Sequence, residues 1–175
     1  AKKFYTHCHR QITCQEPFKW IWKSKLQMKL KVFMWFLLAD RLNTRNMPKR
    51  RHFHVGDIET CVRCTAHEEE TIDHLIFNCP FSQTCWSKIG ISYNSGISRI
   101  EATIRAKEIY SGRLFFEIFA ITAWNIWKER NNFIFNQISP SYRAWLERTK
   151  ADLTWLRYRV SPDLSDYITS FVNSL

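Results

Sequence analysis

Glycine and proline are scarce: the 175 residues contain four Gly and five Pro. Trp, Phe and Tyr together make up 15% of the chain. Few breakers and many large apolar side chains favour helices over a loop-rich fold. The expected fold class is therefore mainly α: a compact helical domain, carrying a Cys/His knuckle and a helical C-terminal extension.

Long hydrophobic runs are missing as well. The most apolar stretch, Leu114 to Trp127 (LFFEIFAITAWNIW), is interrupted by Glu117 and falls short of the roughly 20 residues a bilayer requires. It reads as a buried core helix, with no membrane partner expected. The first ten residues, AKKFYTHCHR, show no apolar core of a secretory signal, and the lack of an initiator methionine suggests a piece of a longer polypeptide. Six cysteines in that setting imply a reducing compartment, nuclear and/or cytoplasmic, where closely spaced Cys and His bind metal more often than they form disulfides. The even count leaves a disulfide framework as the weaker alternative.

Acidic residues are nearly absent from the first third. Residues 1–51 hold 13 Lys/Arg against 2 Asp/Glu, a net of +11, and the remainder holds 13 against 14, a net of −1. The whole excess of positive charge thus precedes the cysteine-rich segment. A concentrated cationic segment is the footprint expected for a polyanion, most often RNA and/or DNA. The plainer reading is a solubilising helix face plus a sorting signal at Lys49-Arg50-Arg51.

Along the chain, Phe18-Lys-Trp20-Ile-Trp22-Lys reads as a short strand or an irregular aromatic anchor. Leu26, Leu30, Phe33 and Leu37 form a helical stripe within Ser24 to Leu42, with Lys25, Lys29 and Lys31 off it; Phe36 and Leu38 widen the buried arc. Asn43-Thr44 stops that helix and caps a short basic turn, Arg45 to Arg51. Pro80 opens a helix with Phe81, Cys85, Trp86 and Ile89 inward, ended by Gly90. Residues 92–99 form a loop, so the expected organisation is a module over 1–91 and a helical region over 100–175. Within the latter, a long helical pattern from Glu101 to Phe135 is broken near Ser111-Gly112. Another runs from Ser139-Pro140 to about Arg159, with Tyr142, Trp145, Thr149, Leu153 and Leu156 inward. The last starts at Ser161-Pro162, with Leu164, Ile168 and Phe171 apolar.

The densest chemistry lies in CVRCTAHEEETIDHLIFNC, residues 61–79. Cys61, Cys64, His74 and Cys79 make a C-x2-C-x9-H-x4-C array, whose tight first pair suits a metal knuckle. Four Cys/His donors suit tetrahedral zinc and leave no open position for water, so the role is structural and not catalytic. His67 lies close enough in sequence to stand in for His74. Cys85, beside Trp86, suits a buried thiol. A redox role is weak, because no strand-like apolar run precedes Cys61. Glu68-Glu69-Glu70 reads as a solvated charge run.

Several segments together resemble the zinc-binding domain found downstream of reverse transcriptase in plant-type non-LTR (LINE-like) retrotransposons. They are Trp20-Ile-Trp22-Lys; Lys31-Val-Phe-Met-Trp35 through Thr44; CVRC; and Glu70-Thr71-Ile-Asp-His74 through Trp86. Trp124-Asn-Ile-Trp127-Lys-Glu-Arg130-Asn131 through Phe135 resembles the tail that follows this module, so the likeness covers residues 1–135. Many relatives open the Lys-rich helix with Pro-Lys, where this chain has Leu26-Gln-Met-Lys29. The resemblance implies Cys61, Cys64, His74 and Cys79 as zinc ligands. It also implies a reverse transcriptase domain, in cis or trans, as partner, and a role in holding template RNA or target DNA during target-primed reverse transcription.

No Tyr-x-Asp-Asp pair, phosphate-cradling glycine loop or nucleophile with a readable base occurs, so this piece is expected not to be an enzyme. The first expectation is a nucleic-acid-binding zinc module using Arg45, Lys49, Arg50 and Arg51, then Lys25, Lys29 and Lys31, with Trp20 and Trp22 more suited to packing than to stacking on bases. The second is a protein-interaction scaffold whose C-terminal helices present Trp145 or Trp155 to a partner or a second copy. Arg130-Asn131 is read as a helix end with Asn131 in a left-handed cap. Elemental analysis of the purified chain is expected to give one zinc per chain; a metal-free, fully folded protein would remove the knuckle from the account.

Overall fold

The computed structural model describes residues 15–53, 60–64, 67–93 and 96–175; Cys8, Cys14, Asp57 and Glu59 lie outside them. The described helices are α1 (Glu16–Lys23), α2 (Met28–Leu38), α3 (Met47–Arg50), a π turn (His74–Asn78), α4 (Pro80–Ile89), α5 (Arg99–Ile109), α6 (Phe115–Asn136), α7 (Tyr142–Leu156), a 3-10 turn (Arg157–Arg159) and α8 (Pro162–Ser174). Among the described residues the only extended pairing is an isolated antiparallel bridge between Thr60 and Glu69. The fold is mainly α, as the composition predicts.

The aromatic segment is not a strand. Pro17 sits in the first turn of α1, where its fixed φ favours a helix and its missing N–H costs nothing, and Phe18 and Ile21 on one face are buried. Trp20 packs edge-on against Phe116 at 6.0 Å between centroids, under the ammonium of Lys107 at 4.0 Å. Trp22 is 53% exposed. α2 is shorter than the periodicity predicts, because Leu26 and Gln27 are held outside it: Arg159 Nε donates to the Lys25 carbonyl at 2.8 Å. Leu26 and Leu42 are nonetheless buried from the flanking chain. Phe36 faces out, one helical step of about 100° beyond the Leu30, Phe33, Met34, Leu37 stripe.

The organising element is α6, with 13 of its 22 residues buried. α2, α4, α7 and the π turn pack around it. The break expected near Ser111-Gly112 is present, and α6 starts after Leu114 in left-handed backbone (φ 59). Glu117, the acid inside the apolar run, lies in the first turn of α6, where a helix favours negative charge. It accepts the Lys25 N–H at 3.0 Å, so its one polar group fastens the α1–α2 connection. No described helix is long and apolar enough to cross a membrane.

α7 is capped by Ser141, whose Oγ accepts from Ala144 N, and buries Trp145, Thr149, Leu153 and Leu156. Tyr142, expected inward, is 36% exposed. Trp145 is fully buried and so cannot be presented to a partner, whereas Trp155 is 65% exposed. Three successive charges on α6 are each paired: Lys128 with Asp152 at 3.2 Å, Glu129 with Arg148, and Arg130 with Glu70 at 2.7 Å. Arg130-Asn131 is therefore helix interior; the left-handed cap is Gln137 (φ 55), and Asn131 Oδ1 accepts from Arg130.

Glu68 and Glu69 are exposed, as a solvated charge run should be, but Glu70 is wholly buried. Its Oε1 takes Arg130 Nε at 3.1 Å, Arg130 Nη2 at 2.7 Å and Arg45 N at 2.9 Å. Breaking such a pair strands a buried charge. Glu70→Ala and Arg130→Ala are each expected to cost about 3–5 kcal/mol in denaturant unfolding, and the Glu70→Leu/Arg130→Met double variant clearly less than their sum. Additive losses would show the two side chains to be uncoupled.

Candidate metal centre

Cys61 closes a loop by donating its N–H to the Glu68 carbonyl at 2.8 Å, beside the Thr60–Glu69 bridge. His67, at the loop's return, has left-handed backbone (φ 52) and an exposed side chain. The chain then turns at Thr71, whose Oγ1 accepts from His74 N at 3.0 Å.

The segment carrying His74 and Cys79 is widened from an α to a π turn, with Cys79 N donating to His74 O at 2.6 Å. At about 100° per α-helical residue, His74 and Cys79 would stand some 140° apart around the axis. The wider turn reduces that angle, and such single π turns recur at functional sites. Proline at position 80 helps to set this geometry. It drives Cys79 into extended backbone (ψ 133) and supplies no N–H to the carbonyls behind it. Those carbonyls find side chains instead: Leu75 O accepts from Ser82 Oγ at 2.6 Å and from Arg63, and Ile76 O accepts from Trp86 Nε1 at 2.7 Å.

The outcome is convergence. One ligand atom from each of Cys61, Cys64, His74 and Cys79 lies within 4.8 Å of the others. Cys61 Sγ and Cys79 Sγ are 4.0 Å apart, and Cys64 Sγ and His74 Nε2 3.3 Å. A tetrahedron with zinc–sulfur bonds near 2.3 Å and zinc–nitrogen near 2.0 Å has edges of about 3.8 Å and 3.5 Å; these two separations match such edges, and the identity of all four donors suits zinc. Cys61, His74 and Cys79 are buried, and Cys64 is half-buried. His74 Nδ1 lies 2.7 Å from Glu68 Oε2, close but not aligned as a hydrogen bond. That leaves Nε2 toward the sulfurs and a carboxylate behind the ring, the usual support for a metal-bound histidine. The described cysteines are not in disulfides.

Charge is divided unevenly within the donor set. The contact with Cys79 pushes the Cys61 thiol up to about 12, and the reciprocal contact draws Cys79 down to about 7, with the nearby Arg63 guanidinium also favouring its thiolate. Zinc with three thiolates and a neutral imidazole would carry one net negative charge, which the Arg63 cation offsets. Arg63 reaches from inside the C-x-x-C pair to Ser82 Oγ at 2.8 Å, Ile126 O at 3.1 Å and the Leu75 carbonyl, with its guanidinium 4.8 Å above Phe81. Burial lowers its pKa, partly offset by the cysteines beside it. The charge of Arg63 was legible in the sequence, but its role in bolting the knuckle to α6 was not. Cys85 is fully buried outside the donor group, and burial raises its thiol well above the ordinary range.

The basic residues fall into two groups. Lys25 and Lys29 are exposed and Lys31 half-buried, its Nζ donating to Trp22 O at 3.2 Å. Arg45, Lys49, Arg50 and Arg51 follow α2, whose 11 residues span about 16 Å. Arg45 is half-buried, and its Nη1 donates to Thr60 O at 3.0 Å, next to Cys61. Arg50 pairs with Asp40 at 2.5 Å. Lys49, Arg50 and Arg51 are exposed.

Comparison with known proteins agrees with this site. Residues 1–86 match the family described as zinc-binding in reverse transcriptase, which shows the resemblance for that stretch. The match ends within α4, ahead of residues 124–135. No curated protein and no solved structure is matched by the chain.

The four donors tie the loop, the π turn and α4 together, so removing the metal should loosen all three. Chelation, or Cys79→Ser, is expected to lower the melting temperature by at least 10 °C, restored by zinc in the first case and not in the second. An unchanged melt in both would show the knuckle to be dispensable for stability.

Proposed function

We propose that the chain is a non-catalytic, nucleic-acid-binding zinc module of a LINE-like retrotransposon polyprotein or of a gene derived from one. It helps to hold template RNA or target DNA for a reverse transcriptase domain acting in cis or in trans. The family match of residues 1–86 supports the association with reverse transcriptase. The observation that carries the binding role is the physical join between the knuckle and the cationic turn. The Arg45 guanidinium is anchored on the carbonyl of Thr60, and its backbone N–H on Glu70. The metal loop thereby braces the turn that presents Lys49, Arg50 and Arg51 to solvent.

A rigid cationic turn loses less entropy on meeting phosphates than a mobile one. Four protein donors also complete a zinc coordination sphere, which suits a brace and not a hydrolytic centre. The donor set fits one ion per chain. Thiol ligands suit a reducing compartment, nuclear or cytoplasmic.

A second reading rests on a separate surface. Trp155 and Tyr158, 65% and 79% exposed, lie 5.7 Å apart at the end of α7 and its 3-10 turn; an exposed aromatic pair of that kind suits a protein partner. Titration of labelled single-stranded RNA and duplex DNA at 50 and 200 mM salt separates the two. With about four phosphate contacts, affinity is expected to fall on the order of a hundredfold between those concentrations. Arg51→Glu, which leaves the Arg50–Asp40 pair intact, is expected to weaken binding about tenfold with the melt unchanged. Salt-independent binding, or none at 50 mM, would sink the nucleic-acid reading and leave the aromatic surface as the functional one.

A further inference from the structure

Beside the cationic turn, Asn43, Thr44, Met47, Pro48, Arg51 and Phe53 line an open groove of about 430 Å³, within the range of small-ligand sites. We propose that this groove seats one unpaired nucleobase, stacked on Phe53, so that the module takes single-stranded nucleic acid in preference to duplex. The inference rests on the nucleic-acid reading above and specifies its substrate.

Phe53 is 65% exposed, although an aromatic ring gains from being covered. Its placement is built into the backbone. α3 ends in a paired closure, with His52 N donating to Lys49 O and Phe53 N to Pro48 O, each at 2.9 Å. Between them His52 adopts left-handed backbone (φ 61), which glycine usually fills at this point of a helix end and a Cβ disfavours. The turn thus projects Phe53 beside Pro48, over the groove.

The lining supplies what a nucleotide needs. The ring offers a flat apolar face, Arg51 a guanidinium for the phosphate or for stacking, and the exposed Asn43 amide a donor and an acceptor for a base edge. Among the described residues no carboxylate lines the groove, and the exposed Lys49 and Arg50 lie along the same turn. This charge complementarity selects a polyanion carrying flat rings over an apolar peptide. In a duplex the base faces are already stacked, so Phe53 would add nothing there.

The test uses the intact zinc-loaded chain and four probes of equal length: single-stranded RNA, single-stranded DNA, an abasic single strand and a duplex. Phe53→Ala, at an exposed position, is expected to weaken both base-bearing single strands at least tenfold and to change the abasic strand and the duplex less than twofold. Phe53→Tyr is expected to restore binding. Equal losses on all four probes, or single-strand affinity within twofold of the parent, would overturn the stacking site alone. Failure of the parent to bind any probe at low salt would instead remove the reading on which it rests.

Discussion

One carboxylate oxygen holds three regions of this protein in register. Glu70 Oε1 takes a backbone N–H from the cationic turn at Arg45 and two guanidinium N–H groups from Arg130 in the long helix, while Glu70 itself lies between the metal loop and the π turn. Knuckle, turn and C-terminal half therefore meet at one atom. Burying a carboxylate in this way is costly, and the second oxygen, Oε2, is left without a partner. Such an arrangement endures only where the pairing at Oε1 outweighs that desolvation. It fixes relative position more than it adds stability, and relative position is what a recognition surface requires.

The metal knuckle depends on the same frame. Sulfur and nitrogen donors spread over residues 61–79 converge with the help of Pro80, which widens the turn between His74 and Cys79, and of Arg63, which is bolted to a carbonyl of α6. The knuckle is held from behind by hydrogen bonds to the helical core, which help to gather the four donors at one place. Bracing of that kind lowers the entropy lost in ordering a site.

Much of this was legible in the residues. Pro80 and Gly90 marked both ends of α4, the stripe Leu30, Phe33, Leu37 marked α2, and spacing pointed to the four donors that converge while leaving His67 as an alternative to His74. What escaped was any feature decided by a distant partner. Glu70 reads as one of three solvated glutamates until Arg130, 60 residues away, is placed against it. Asn131 reads as a helix end until α6 is seen to run on to Asn136. Trp20 and Trp22 alternate like a strand, yet Pro17 starts a helix there and only tertiary contact separates the covered ring from the exposed one. Periodicity reports a face; it does not say which face another element will cover.

The same distinction changes the meaning of the net charge. A surplus of positive charge in the first 51 residues suggests a uniform cationic face, but the fold sorts its cations by use. Arg45 is anchored on Thr60 and Arg50 on Asp40. Beyond them Arg63, Arg99, Arg130 and Arg159 all donate inward to carbonyls or carboxylates. An arginine committed to a buried carbonyl is a five-donor connector first, and it adds to the external field only at a distance and through a low-dielectric wall. Two lysines behave otherwise. Lys25 and Lys29 keep exposed side chains near the start of α2, a compact charge on a flexible stem. The field a polyanion meets is therefore set by a few exposed groups on a rigid frame, and the larger number of guanidinium groups builds that frame.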